Sequence, residues 1–367
     1  MKLRTLAFFS AMTLSAALGI TAQSFGQKTQ DQFTTFDAPG AVGPFQGTHP
    51  TSINPAETIT GYYIDANIVF RGFVRDKDGT ITTFDAAPHA IYSYPTSINP
   101  AGEITGYFIN ANESGLHGFV RAADGTITTF DAGPDRTYPV SINPAGEITG
   151  NFRYGAAGLN HGFLRAADGT FTTFDLGPNG TVPESINPKG EITGNYVDVN
   201  GVSHGFVRAA DGTFTTFDLG FDVAIPVGIN PRGTVMGYYI VAGPVQHGFL
   251  RYPDGEITAF DPPGAGTTRF QGTFPQSINP RGDITGWYRD VSGMPRGFLR
   301  AADGTFTTFD LGPNGTFPAS INPEGEITGW YSDASNLTHG FLLKHKNQKG
   351  SEKELDDEGG EGFESPE

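Results

Sequence analysis

The chain of 367 residues contains no cysteine, which excludes disulfides, thiolate metal sites, cysteine nucleophiles and a lipid-anchored N-terminal Cys. Stability must therefore come from packing and chain closure. Positive charge is also scarce: 23 Lys and Arg stand against 39 Asp and Glu, for a formal net charge of −16. Neutralising a phosphate backbone needs the opposite balance, so no nucleic-acid partner is expected. No apolar stripe of helical period and helical length follows the first 26 residues. A nucleophile elbow, a phosphate loop, an HExxH motif and a calcium loop are all missing. Asp76-Lys77-Asp78-Gly79 superficially resembles a calcium loop, but most other copies of this turn read AADG and the EF-hand spacing is absent, so it reads as a hairpin turn. No cofactor and no metal site is expected.

Glycine, proline and phenylalanine are plentiful, at 51, 26 and 30 residues, and a repeat accounts for all three. SINP begins at Ser52, Ser97, Ser141, Ser185, Ser277 and Ser320, with a GINP variant at Gly228, giving spacings of 45, 44, 44, 43, 49 and 43. Each copy goes on through an ITG-aromatic segment, an HGF[VL]R segment and TTFD, as in residues 141–175. A period near 44 with four short apolar segments is that of one propeller blade. Asn143-Pro144-Ala145-Gly146 and Ala167-Asp168-Gly169 are turn signals that fold each copy into two hairpins. The residues between them are β-branched and aromatic.

The ends suggest how the array closes. The first copy begins in mid-unit at Thr34-Thr35-Phe36-Asp37, and the last stops at Gly340-Phe341-Leu342-Leu343 without its own TTFD. A ring gives a reason for this split, because the N-terminal strand can complete the last blade and remove two edges. The expected fold is therefore all-β: a seven-bladed β-propeller with four-stranded blades, occupying 27–343. Residues 1–26 read as a secretory signal, with Lys2 and Arg4 before an apolar run from Leu6 to Ile20. Once it is cleaved no membrane span is expected, and the protein is expected to be secreted, to the extracellular space or the periplasm. The acidic segment 344–367 reads as a disordered tail.

Five histidines, His117, His161, His204, His247 and His339, open the HGF strand. Such a set invites a metal or acid–base reading. Asp131, Asp175, Asp218 and Asp261 each lie 14 residues after one of the first four. Across the ADG hairpin this offset makes them cross-strand neighbours. Arg71 and Arg296 keep the same offset to Asp85 and Asp310. Arg in place of His preserves a cation opposite Asp and would destroy a metal ligand, so a structural pair is favoured over catalysis. Ring closure would give His339 its partner in Asp37.

The aromatic position after ITG is the most informative about binding. Its second residue is always aromatic, as a repeated core contact requires. Its first is Tyr62, Tyr107, Asn151, Asn195, Tyr238, Trp287 and Trp330. Tyr, Trp and Asn together suit an amphipathic platform such as a sugar-binding surface; packing between blades is at least as good an explanation. The loops from TTFD to the next SIN span 15, 12, 10, 10, 10, 16 and 10 residues, and variable loops on one face of a rigid scaffold are where binding is built. The favoured function is a binding or scaffold protein whose partner is a glycan or another extracellular polymer or protein. The alternative is a propeller-type lyase or hydrolase using the ring histidines. Such an enzyme would need one copy to depart sharply from the others and place polar groups inward.

The units resemble those of predicted extracellular proteins built of HAF-type repeats. The resemblance is carried by Ile142-Asn143, Gly146, Ile148 to Gly150 and His161-Gly162-Phe163, and by their counterparts over nearly the whole mature chain. This sequence has Gly where the motif's name has Ala, and Arg for His in two copies. The resemblance implies a secreted repeat protein and brings no catalytic residues with it.

Overall fold

A computed structural model describes residues 32–41, 46–111, 113, 115–154, 158–220, 223–241 and 243–344. The signal sequence and all but the first residue of the tail lie outside the described residues. Every regular element among those described is a β-strand.

The third repeat shows how the sequence makes its unit. Its inner strand Arg136–Ile142 turns at Asn143-Pro144-Ala145-Gly146 into Ile148–Tyr154, which is followed by Leu159–Arg165 and an outer strand Phe171–Phe174, all antiparallel. The Asn143 side chain holds the first turn. Its Oδ1 accepts from the backbone N–H groups of Ala145 and Glu147, both at 3.0 Å. The Asp168 carboxylate holds the second by accepting from Thr170 N–H at 2.9 Å. Strand alternation then sends Ile148 and Phe163 into the unit's core with no exposed surface. The equivalent Ile or Val and Phe are equally buried in all seven repeats, and each repeat builds its own apolar cluster.

Neighbouring repeats are joined by rings and cations. The outer-strand Phe of one repeat meets the third-strand Phe of the next edge-on, as Phe130 does Phe163 at 6.4 Å between centroids and Phe174 does Phe206 at 6.3 Å. The Arg ending the third strand covers the same ring, with Arg165 at 4.9 Å from the Phe130 centroid and Arg208 at 5.3 Å from that of Phe174.

The last repeat consists of Thr316–Ile321, Ile327–Ser332, Thr338–Lys344 and, from the other end of the described chain, Gln32–Phe36. The pairing runs from Gln32↔Lys344 to Phe36↔Gly340. Phe36 meets Phe73 at 6.2 Å and lies under Arg75 at 4.9 Å, so the N-terminal strand occupies the place of an outer strand.

The separation into independent four-stranded blades is less complete than the sequence suggests. Backbone pairing gives sheets of 12, 4 and 12 strands. Single parallel pairs, such as Phe70↔Tyr92, Ser203↔Val223, Gln246↔Gly272 and Gly47↔Thr338, stitch one repeat's third strand to the next inner strand. The third strand and the next inner strand approach closely enough there for one ladder step.

Candidate functional site

Every inner strand carries a β-bulge immediately after its proline, between Pro50 and Ser52 in the first repeat and at the equivalent places in the other six. A bulge leaves one residue outside the ladder and re-aims its side chain. The extra residues are Thr51, Thr96, Val140, Glu184, Val227, Gln276 and Ala319. All seven line a single cavity of about 410 Å³, together with His49, Tyr62, Tyr94, Trp330 and several of the SINP serines.

Below this layer the repeats are tied into a band. The SINP serine hydroxyl accepts from the Ile backbone N–H of the next repeat at 3.3–3.4 Å, and the SINP asparagine Nδ2 donates to the next Asn carbonyl at 3.0–3.3 Å. The last repeat makes both bonds to the first, from Asn322 to Asn54 and from Ile53 to Ser320. Among the described residues, one junction lacks both bonds: that between the fifth repeat, which has Gly228, and the sixth.

Above it lies an aromatic belt. The residue before each inner-strand proline stands opposite the first residue after ITG, as His49 does Tyr62 and Phe317 does Trp330. These positions form a continuous chain of ring contacts, some stacked and some edge-on. It runs Tyr238–Phe274 6.1 Å, Phe274–Trp287 3.9 Å, Trp287–Phe317 5.4 Å, Phe317–Trp330 3.9 Å, Trp330–His49 5.0 Å, His49–Tyr62 4.7 Å, Tyr62–Tyr94 4.4 Å, Tyr94–Tyr107 5.1 Å and Tyr107–Tyr138 5.7 Å. The belt is broken where the same positions are Asn151, Val182, Asn195 and Ile225. Because each repeat is an antiparallel meander, the variable connections meet the start of the inner strand. The belt therefore lies on the loop side of the cavity.

The structure thus brings Tyr62, Tyr107, Tyr238, Trp287 and Trp330 into one belt of ring contacts. Asn151 and Asn195 turn toward the third strand instead, donating to Asn160 Oδ1 at 3.0 Å and to Ser203 Oγ at 3.2 Å.

Sequence reasoning missed Glu184. The signal was present in the residue preceding each SINP or GINP, which reads Thr, Thr, Val, Glu, Val, Gln, Ala. Glu184 is the one charged residue among those lining the cavity and has no hydrogen-bond or ion-pair partner among the described residues. Burial pushes its carboxyl up to about 7. Tyr238, at one end of the belt, is raised by burial and then by the nearby Glu184 charge. Burial lowers His49 to about 4, so this imidazole is neutral at ordinary pH. The Tyr62 and Tyr107 hydroxyls are raised by burial and by neighbouring tyrosines.

The His–Asp and Arg–Asp pairs lie elsewhere, toward the starts of the third strands. His117–Asp131 is 2.9 Å, His161–Asp175 3.0 Å, His247–Asp261 2.7 Å and His339–Asp37 3.0 Å, with His204–Asp218, Arg71–Asp85 and Arg296–Asp310 also paired. Several of these side chains have a second carboxylate, such as Glu113 on His117 at 2.9 Å and Asp65 on Arg71 at 3.0 Å. The imidazoles stack on the second aromatic after ITG, with His161 5.2 Å from Phe152. No group of three His, Cys, Asp or Glu among the described residues could hold a metal ion. The pairs bridge strands, and the Asp261 carboxylate also accepts from the Thr273 hydroxyl.

No family model matches the sequence, and no curated protein matches it. Solved structures do resemble it. A streptogramin B lyase superposes with a TM-score of 0.57 at 18% identity, over 86% of this chain and 98% of that one. A catalytically inactive virginiamycin B lyase from Staphylococcus aureus, determined with quinupristin, gives 0.58 at 17% identity over 86% and 100%. A prolyl endopeptidase gives 0.58 at 8% identity, over 81% of this chain and half of that one. At these identities the likeness concerns the scaffold alone, which is propeller-like and all-β.

Proposed function

We propose that the chain is a secreted seven-bladed β-propeller of the HAF-repeat kind, closed by its N-terminal strand, and that it acts as a binding module. Its ligand, a glycan or another extracellular polymer or protein, sits at the loop-side mouth of the central cavity. The observation that carries this reading is the aromatic belt. Ten rings form an arc on the loop side of a cavity, with polar tips at Tyr62, Tyr94, Tyr107, Tyr138 and Tyr238, and the variable loops stand above them. Amphipathic rings held rigid by mutual stacking offer contact area at little entropic cost. The lyase and hydrolase reading is weaker, because the five histidines of the HGF strands lie away from the cavity and are tied to carboxylates, and His49, which lines it, meets the Thr338 hydroxyl instead. The scaffold likeness to streptogramin lyases does not extend to their reaction.

Trp287 and Trp330 are the only tryptophans and both belong to the belt, so intrinsic fluorescence reports on this site. The mature protein is first screened on a glycan array, and hits are titrated against fluorescence. The expected result is a saturable change that Trp330→Asn weakens at least tenfold, with the fold retained because Asn is native at Asn151 and Asn195. A hit that leaves both tryptophans unperturbed would place binding elsewhere, and no hit at all would leave a protein partner or a scaffold role.

A further inference from the structure

We propose that Glu184 anchors a protonated primary amine, inserted into the central cavity through the break in the aromatic belt. This deepens the binding reading above and rests on the same mouth, but its anchor is a different residue. In the fourth repeat the bulge supplies a carboxylate where other repeats supply Thr, Val, Gln or Ala. The belt is interrupted in that repeat and beside it, at Val182, two residues before Glu184 on the same strand, and at Asn195 opposite Val182. The charge and the opening coincide in the fourth repeat; the break extends to Asn151 and Ile225 in its neighbours, whose bulge residues Val140 and Val227 are uncharged.

The chemistry of the wall selects the ligand class. No Lys or Arg lines the cavity, and Glu184 has no partner among the described residues, so its charge is uncompensated until a cation arrives. A single carboxylate is a poor site for a divalent metal, which requires six or more oxygen ligands or tightly held water. An ammonium has three donors, and the wall offers acceptors in Ser141, Ser277, Thr96 and Gln276. The aromatic rim favours an organic cation over a hydrated ion. A volume of about 410 Å³ accommodates an aminoalkyl chain or an amino sugar. Either source presents the same group, the ammonium.

Calorimetric titration of the full chain with n-butylammonium chloride tests the assignment. At pH 8 the expected result is saturable one-to-one binding, with 1-butanol not binding under the same conditions. Glu184→Gln should weaken the amine at least tenfold. Glu184→Val should do the same and is expected to fold, since Val140 and Val227 occupy the equivalent place. Lowering the pH to 5 should weaken wild-type binding at least tenfold, because a proton then occupies the carboxyl that burial has raised to about 7. The other ionisable groups facing this space, His49, Tyr62, Tyr94 and Tyr238, keep their charge over that range, since burial lowers the first and raises the other three. Carboxyl carbon NMR should show the Glu184 titration moving to lower pH when the amine is present. Equal binding of butanol, equal binding by the Gln variant, no saturable binding at pH 8, or displacement of the amine by stoichiometric calcium would each overturn the assignment. Amine binding without any polymer binding would retain Glu184 as the anchor and remove the polymer reading. A polymer bound equally by wild type and Glu184→Gln would do the reverse.

Discussion

At the scale of single residues, Glu184 costs the fold stability in a pH window that its surroundings define. An unfolded glutamate ionises near 4.5, whereas burial holds the folded carboxyl up to about 7. A raised carboxyl brings no penalty below the unfolded value. The penalty grows as pH rises from there to the folded value, because the unfolded chain releases its proton first. Glu184→Gln is therefore predicted to raise stability by about 1 to 3 kcal/mol at pH 8 and by almost nothing at pH 4, as read from denaturant melts at the two pH values. An equal effect at both would mean that the carboxyl is solvated. Gly162 presents a steric case. A Cβ there would stand 2.5 Å from the Phe174 ring, which explains why this position is Gly. Gly162→Ala is predicted to lower stability by about 1 to 3 kcal/mol through displacement of that ring, and Gly162→Ala with Phe174→Leu to recover part of the loss. The His161–Asp175 pair is worth less than its regularity suggests, since half of the Asp175 side chain is exposed. His161→Arg should be neutral, and Asp175→Ala should cost under about 1 kcal/mol in a thermal melt. A large zinc-dependent shift in the wild type that His161→Arg abolishes would contradict the structural reading of the pair.

At the scale of the element, the strands, turns and His–Asp offsets could be read from the sequence because each is a local signal said seven times. Asn143-Pro144-Ala145-Gly146 fixes a turn wherever it occurs, and an offset of 14 across Asp168-Gly169 fixes a cross-strand pair. Two features could not be read in this way. The bulge after each inner-strand proline does not change the spacing of the motifs, so nothing marked Thr51, Thr96 or Glu184 as facing inward. The belt joins residues of different strands and repeats, so the sequence leaves open whether Tyr62, Trp287 and Trp330 form a platform or pack between blades, and nothing in it marks their ring partners at His49, Phe274 and Phe317. The fifth repeat shows how an element adapts. Ser and Thr face each other across the first two strands in the other repeats, but here Gly228 stands opposite Met236. A Cβ on Gly228 would lie 3.2 Å from the Met236 methyl and 3.3 Å from Ile278. Gly228→Ser alone is predicted to destabilise by about 1 to 2 kcal/mol, and Gly228→Ser with Met236→Thr to restore the missing hydroxyl bond to the next repeat and most of the stability. Strictly additive losses in the double variant would show that the two residues are not coupled.

At the scale of the whole molecule, the account depends on the two ends of the repeat array meeting. Among the described residues the last repeat has no outer strand from its own stretch of chain, and Gln32–Phe36 takes that place. Phe36 then packs on Phe73 while Asp37 pairs with His339. Asn322 and Ser320 complete the band of bonds to the first repeat. Without that strand the third strand of the last repeat becomes an exposed edge. Deleting residues 27–38 is accordingly predicted to lower the thermal midpoint by more than ten degrees or to cause aggregation, and unchanged melting would indicate an open array. Amide hydrogen exchange on the unmodified protein reads the same point without a mutation. The account predicts that the amides of residues 33–36 exchange as slowly as those of 340–343, both released only in the global unfolding reaction. Exchange of residues 33–36 within seconds, as for a free chain end, beside a protected third strand would contradict the closed ring.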